Sequence, residues 1–182
     1  MPAVVSDAGP LIHLAQIGKL SLLEKLFSVA FVTEQVKVEV FDEGIKLGCA
    51  DAKALGKALA DGWLKVKPFP KRLVKSALKL AEGENISRAD AETLLLAADK
   101  KAELLVDEKL LSSLARMHGL HVWSTWTLLL EGLSRDYLKI GEIEEAVTEL
   151  GRKKFRLNAK QTQEILDAAR LIDKRRENNN SL

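Results

Sequence analysis

The sequence predicts an α/β protein: a central parallel sheet of about five strands flanked by helices, with a C-terminal helical extension. Three observations carry this. Short apolar runs alternate with helical patterns, which is how a parallel sheet covered on both faces is written in sequence. Two of those runs, Val4-Val5 and Leu104-Leu105-Val106, end on acids, Asp7 and Asp107. In open parallel sheets the chemistry collects at that edge. From Gly141 onward the pattern is purely helical. The chain, of 182 residues, suits one domain with a small appendage. The expected division is a site-bearing domain over 1–138, a helical pair over 139–176 and a disordered polar tail over 177–182.

The elements follow in order. Val4-Val5-Ser6-Asp7 is a strand, and after Gly9-Pro10 a helix carries Leu11, Leu14, Ala15 and Leu20. A second short helix holds Leu22, Leu23 and Leu26, and Val29-Ala30-Phe31-Val32 is a second buried strand. Thr33 fits an N-cap, with Glu34 in the first turn of a helix reaching about Asp42. Val36 and Val40 share its core face, and Glu39 sits at the border of that face. Ala50 to Asp61 reads as a helix stopped by Gly62, and Cys49 as a small packed residue with no partner for a disulfide. Trp63 to Lys67 alternates and suits an edge strand. Lys71 to Ala81 is a short amphipathic helix, and Glu82-Gly83-Glu84-Asn85 a loop. Ser87 then fits an N-cap with Asp90 at the third helical position, close to a capping box. The helix it opens buries Ala91, Leu94, Leu95 and Ala98 and leads to the fourth strand at Leu104. Lys109 to His118 is helical, Leu120 to Trp123 a fifth strand, and Ser124-Thr125 caps a helix through Leu133. Ile143, Val147 and Leu150 line one tail helix. Ile165, Ala169 and Ile172 line the other, which Asn158 and Gln161 open.

Composition narrows the function classes. The chain is 47% hydrophobic and 30% charged, and its many Lys, Glu and Arg with one Cys suit a heat-adapted intracellular protein. A net charge of +2 is no basic footprint of a strong DNA binder. No secretory signal is visible and no apolar run approaches the roughly 18 residues of a membrane span, so the expectation is cytoplasmic, with no membrane partner. No glycine-rich phosphate loop is present, which excludes a P-loop or nucleotide-binding Rossmann site. Asp7-Ala8-Gly9 lacks the second acid of a haloacid dehalogenase phosphatase. His13, His118 and His121 form no zinc spacing and read as solvated histidines. Arg152-Lys153-Lys154-Phe155-Arg156 either touches phosphates or is a solvated connection.

Four acids remain. Asp7 and Asp107 end strands, Glu39 follows the second strand, and Asp90 opens the helix before the fourth. Each has a plainer account: a turn at Gly9-Pro10 for Asp7, a solvated helix position for Glu39, helix-dipole stabilisation of roughly 0.3–1 kcal/mol for Asp90, and a helix cap for Asp107. As a set they would repel one another unless neutralised. Carboxylates with water select hard ions, Mg²⁺ or Mn²⁺, over zinc. Such an ion holds phosphate oxygens and activates water. Glu92 and Glu108, each beside one of these acids, are weaker candidates.

These residues resemble the PIN-domain ribonuclease family, including toxins of the VapC kind, from about Val4 to Leu133. The appended helical pair resembles one PIN-like subfamily. Ser6-Asp7-Ala8-Gly9-Pro10-Leu11-Ile12 resembles the opening motif. Val32 to Val40 resembles the second, with Thr33 where Pro is usual and Glu39 as its acid. Ala89-Asp90-Ala91-Glu92 corresponds to the third, where Gly-Glu-Ala-Glu is common in the subfamily, and Leu105-Val106-Asp107-Glu108 to the fourth. Ser124-Thr125 stands where Gly-Thr is usual. The resemblance implies Mg²⁺- or Mn²⁺-dependent endonucleolytic hydrolysis of RNA, single-stranded or structured. Asp7, Glu39, Asp90 and Asp107 would be the metal-holding catalytic acids, with Ser6, Glu92, Glu108 and Thr125 around them. For a toxin it also implies an antitoxin protein partner, and the tail helical pair, as a dimer or partner surface, leads to the expectation of a homodimer. The rival is a PIN-like module that binds RNA or protein without cutting.

Overall fold

A valine-rich run with nothing to expose becomes the middle of the sheet. In the computed structural model, which describes residues 1–46, 50–153, 155 and 157–180, β1 (Ala3–Ser6) has Val4 and Val5 wholly buried. Cys49, Lys154 and Arg156 lie outside the described residues. With β2 (Val29–Thr33), β3 (Leu64–Lys67), β4 (Glu103–Leu105) and β5 (Val122–Trp123), β1 forms a five-stranded parallel sheet in the order β3-β2-β1-β4-β5. Val4 pairs with Ala30 on one side and with Glu103 on the other. The alternating segment Leu64–Lys67 lies at an edge, where one wet face is tolerated.

The helices of this first unit are α1 (Ala8–Gln16), α2 (Leu22–Leu26), α3 (Glu34–Lys37), α4 (Gly44–Lys46), α5 (Ala50–Ala60), α6 (Val74–Glu84), α7 (Arg88–Lys100) and α8 (Lys109–Met117). Thr33 caps α3 as expected, its Oγ1 accepting from the Val36 N–H at 3.2 Å. The helix does not run on to Asp42 as regular α. Val38–Glu43 forms a π turn before α4 resumes. A π turn brings residues five apart together, and the Lys37 ammonium duly meets Asp42, at 2.6 Å. Val36 and Val40 nonetheless both reach the core.

Two other expectations shift. Glu82 to Glu84 is helical and α6 ends only at Asn85, which takes a left-handed φ of 53°. Gly83 has open space around it, so one glycine does not stop the helix. Along α7 the buried set is Ala91 to Leu94 with Leu96 and Ala97, while Ala98 is exposed. This helix packs on β1, β2 and β4 and against α6 and α8, so a single stripe underestimates its burial.

The chain divides into two compact units, Met1–Ser124 and Thr125–Leu182. In the second, α9 (Thr125–Ser134), α10 (Ile140–Arg152) and α11 (Ala159–Asn180) pack on one another. Ile143, Leu150 and Ala169 are buried there and Val147, Ile165 and Ile172 half-buried. Asn158 and Gln161 exchange backbone-to-side-chain bonds of 3.0 and 2.8 Å at the start of α11. No helix among the described residues is long and apolar enough to cross a membrane.

Candidate metal centre at the sheet edge

The site grows from the last rung of the central strand. The Asp7 N–H donates to the Leu105 carbonyl at 3.0 Å, continuing the register in which Ser6 pairs with Leu105. Asp107, two residues beyond β4, therefore leaves the sheet at the same edge as Asp7. Ser6 is fully buried and its Oγ donates to the Asp7 carbonyl at 2.9 Å. Its role is to fix the backbone that carries the acid.

Asp7 is also the residue from which α1 starts. Its carboxyl is pushed up to about 6, first by burial and then by the charges of Asp90 and Glu39. The backbone N–H groups of Ala8 and Gly9 pull the other way, as the positive end of a helix does. Glu39, on the π turn, and Asp90, on the first turn of α7, thus act on Asp7 electrostatically, although they come from separate elements.

The environments of the four acids differ. Glu39 is exposed at the surface. Asp90 is half-buried and already employed: its Oδ2 accepts from the Ser87 Oγ at 2.7 Å and the Ser87 N–H at 3.2 Å, completing the capping box. The side chain of Asp107 is 12% exposed and its Oδ2 lies 2.8 Å from the His13 Nδ1. His13 is therefore no solvated histidine. Sequence reasoning missed it because the pair joins residues 94 apart; the one local signal is that His13 follows Asp7 on the helix that Asp7 starts.

The neighbours divide too. Glu92, 9% exposed, receives the Arg88 Nε at 2.7 Å. Glu108, rather than Asp107, caps α8, accepting from the Leu111 N–H. Thr125 is fully buried at the start of α9, in the second unit. Beside Asp90, the residues Glu34, Gln35, Arg88, Ala89 and Glu92 line an open cleft of about 480 Å³.

The donor set fits a hard divalent cation in its chemistry: carboxylate oxygens only, at least one disfavoured as an anion by burial and by two like charges. Among the described residues, no group of three His, Cys, Asp or Glu side chains is set at metal-holding geometry. Asp90 and Glu39 act on Asp7 by charge, and Asp107 leaves the sheet at the same edge.

A PIN-domain model, the DUF3368 family, matches residues 3–170. Among solved structures the fold is similar to that of PAE2754 from Pyrobaculum aerophilum, with a TM-score of 0.52, 18% sequence identity, and coverage of 71% of this chain and 88% of that one. At this identity the likeness is one of fold. No curated protein matches the sequence. PIN domains are generally nucleases and typically use divalent metal ions. Matched along nearly its whole length, with a five-stranded parallel sheet and acids at its carboxyl edge, this chain belongs to the PIN-domain family.

Proposed function

We propose that this protein is a metal-dependent endoribonuclease that hydrolyses RNA phosphodiester bonds, using Mg²⁺ or Mn²⁺ held by Asp7, Glu39, Asp90 and Asp107. The observation that carries the reading is Asp7. A carboxyl held at a buried strand tip, raised to about 6 by burial and by Asp90 and Glu39, is a poor lone anion and a good partner for a cation. When bound, the ion supplies a Lewis acid for phosphate oxygens and an activated water for in-line attack.

The remaining work falls to the chain. Asp7 provides one carboxylate at the tip of β1, and Asp107 another where the chain leaves β4 at the same edge. Asp90 and Glu39 close from the α7 and π-turn sides. The Arg88 guanidinium in the adjacent cleft offers a cation to the RNA backbone, with its Nε edge held by Glu92. No side chain needs to become covalently attached to substrate.

The test is cleavage of single-stranded RNA in Mn²⁺ by the native protein and by Asp7→Asn with Asp107→Asn. Activity in the first and a loss of at least about 100-fold in the second is expected. Undiminished activity in the double variant overturns the reading.

A second reading, a PIN-like module that binds RNA or protein without cutting, is favoured by the engagement of Asp90 in its capping box. It predicts no Mn²⁺ uptake in calorimetry and no cleavage of any RNA. A finer version of the first reading makes the protein a VapC-like toxin, homodimeric and cytoplasmic. It predicts a small antitoxin, produced from the adjacent reading frame, that silences the cleavage.

A further inference from the structure

The geometry points to His13 as a positioning residue: its imidazole sets the orientation in which Asp107 meets the cation. The inference rests on the metal-dependent reading above. His13 sits on the second turn of α1, the helix that begins at Asp7, and its Nδ1 lies 2.8 Å from the Asp107 Oδ2. The ring is 19% exposed and the carboxylate 12%, so this is a contact sheltered from water rather than a surface pair of negligible weight. An ionised carboxylate only accepts hydrogen bonds. The Nδ1 therefore donates, and it holds one identified oxygen of Asp107.

The consequence is a closed linkage of parts. Asp7 is tied to β4 through the Leu105 carbonyl. Asp107 follows β4 and is tied by His13 to α1, which returns to Asp7. One backbone bond thus fixes the chain that carries Asp7, and one imidazole holds the carboxylate of Asp107 to the helix that Asp7 starts. Carboxylates that ligate metals are commonly oriented by such outer hydrogen bonds, and losing one typically costs 10–100-fold in metal affinity. The other two histidines lack this setting. His118 and His121 are exposed and line a cleft with Lys101 and Glu103, where β4 and β5 begin, at the edge of the sheet opposite Asp7.

Calorimetric titration of the full chain with Mn²⁺ alone tests the assignment. His13→Leu keeps the bulk and removes the donor. His13→Asn places an amide N–H near the position of Nδ1. The expected result is Mn²⁺ binding 10–100-fold weaker in His13→Leu, recovered to within about threefold in His13→Asn, with His118→Leu unchanged. Thermal unfolding without metal is read on each variant, so that a folded state is established for the proteins compared. Native affinity in a folded His13→Leu, or an Asn variant as weak as the Leu variant, overturns the positioning role. Absence of Mn²⁺ binding in the native protein overturns instead the metal-dependent reading, and the inference with it.

Discussion

At the scale of single residues, Asp7 has the clearest consequence for pH. Its carboxyl is raised to about 6 in the folded protein by burial, Asp90 and Glu39, whereas in the unfolded chain it titrates near 4. The folded state then binds the extra proton between those values. Stability from this group is complete below about pH 4 and is lost as pH rises through about 6. Without metal, Asp7→Asn should raise the melting temperature at pH 8, by the equivalent of roughly 3 kcal/mol, and change it little at pH 4. Thermal unfolding at the two pH values checks this, and equal effects at both would refute it. Gly9 tells a related story. A Cβ there would meet only the His13 Cε1, at 3.9 Å, an ordinary contact, so Gly9→Ala should stabilise α1 by up to about 1 kcal/mol.

The same scale shows what could be read in advance. Asp7 was legible because an apolar run ended on an acid before a Gly-Pro break. Asp90 was legible because Ser87 stands three residues before it. His13 was not, since its partner arrives through tertiary folding and no local pattern encodes a contact across 94 residues. The cap of α8 fell to Glu108 rather than Asp107, a choice between adjacent acids that spacing alone does not make.

At the scale of elements, the π turn from Val38 to Glu43 is the departure with most bearing on the site, because it carries Glu39. Apolar spacing of three and four residues describes an α-helix and is silent about a local i, i+5 pairing such as Lys37 with Asp42. The turn is braced from outside. Phe41 lies over Gly56 of α5 so closely that a Cβ on Gly56 would stand 2.6 Å from its ring. Glycine in mid-helix is ordinarily a weakness of about 1 kcal/mol against alanine; here the missing methyl admits the ring. Gly56→Ala should therefore destabilise the protein by about 1–3 kcal/mol, and Phe41→Leu in the same chain should restore part of the loss. Chemical denaturation of the single and double variants measures both, and a stabilised Gly56→Ala would show that the ring moves aside freely.

At the scale of the whole molecule, strands, order of elements and the tail helices were legible because burial leaves a strong period in sequence. What period cannot supply is the distance between acids on four elements. A ligand that binds only the folded state stabilises it, by about 2.7 kcal/mol at a hundredfold excess over its dissociation constant. For a chain of this length that amounts to a rise of several degrees in melting temperature on adding Mn²⁺. Asp7→Asn with Asp107→Asn should abolish the rise, and a rise that persists would place the ion elsewhere.

The central position of β1 has a last consequence, for how the protein breathes. The Asp7 amide is bonded to the Leu105 carbonyl at the carboxyl end of the central strand, so its hydrogen exchanges with solvent only when β1 and β4 part there. Glu39 stands exposed on the π turn, whereas Asp90 is held by Ser87 at the start of α7. The four acids thus have unequal freedom. On the metal-dependent reading proposed above, Glu39 is the acid with room to move toward Asp7, and Asp90 would join it only by giving up its bonds to Ser87.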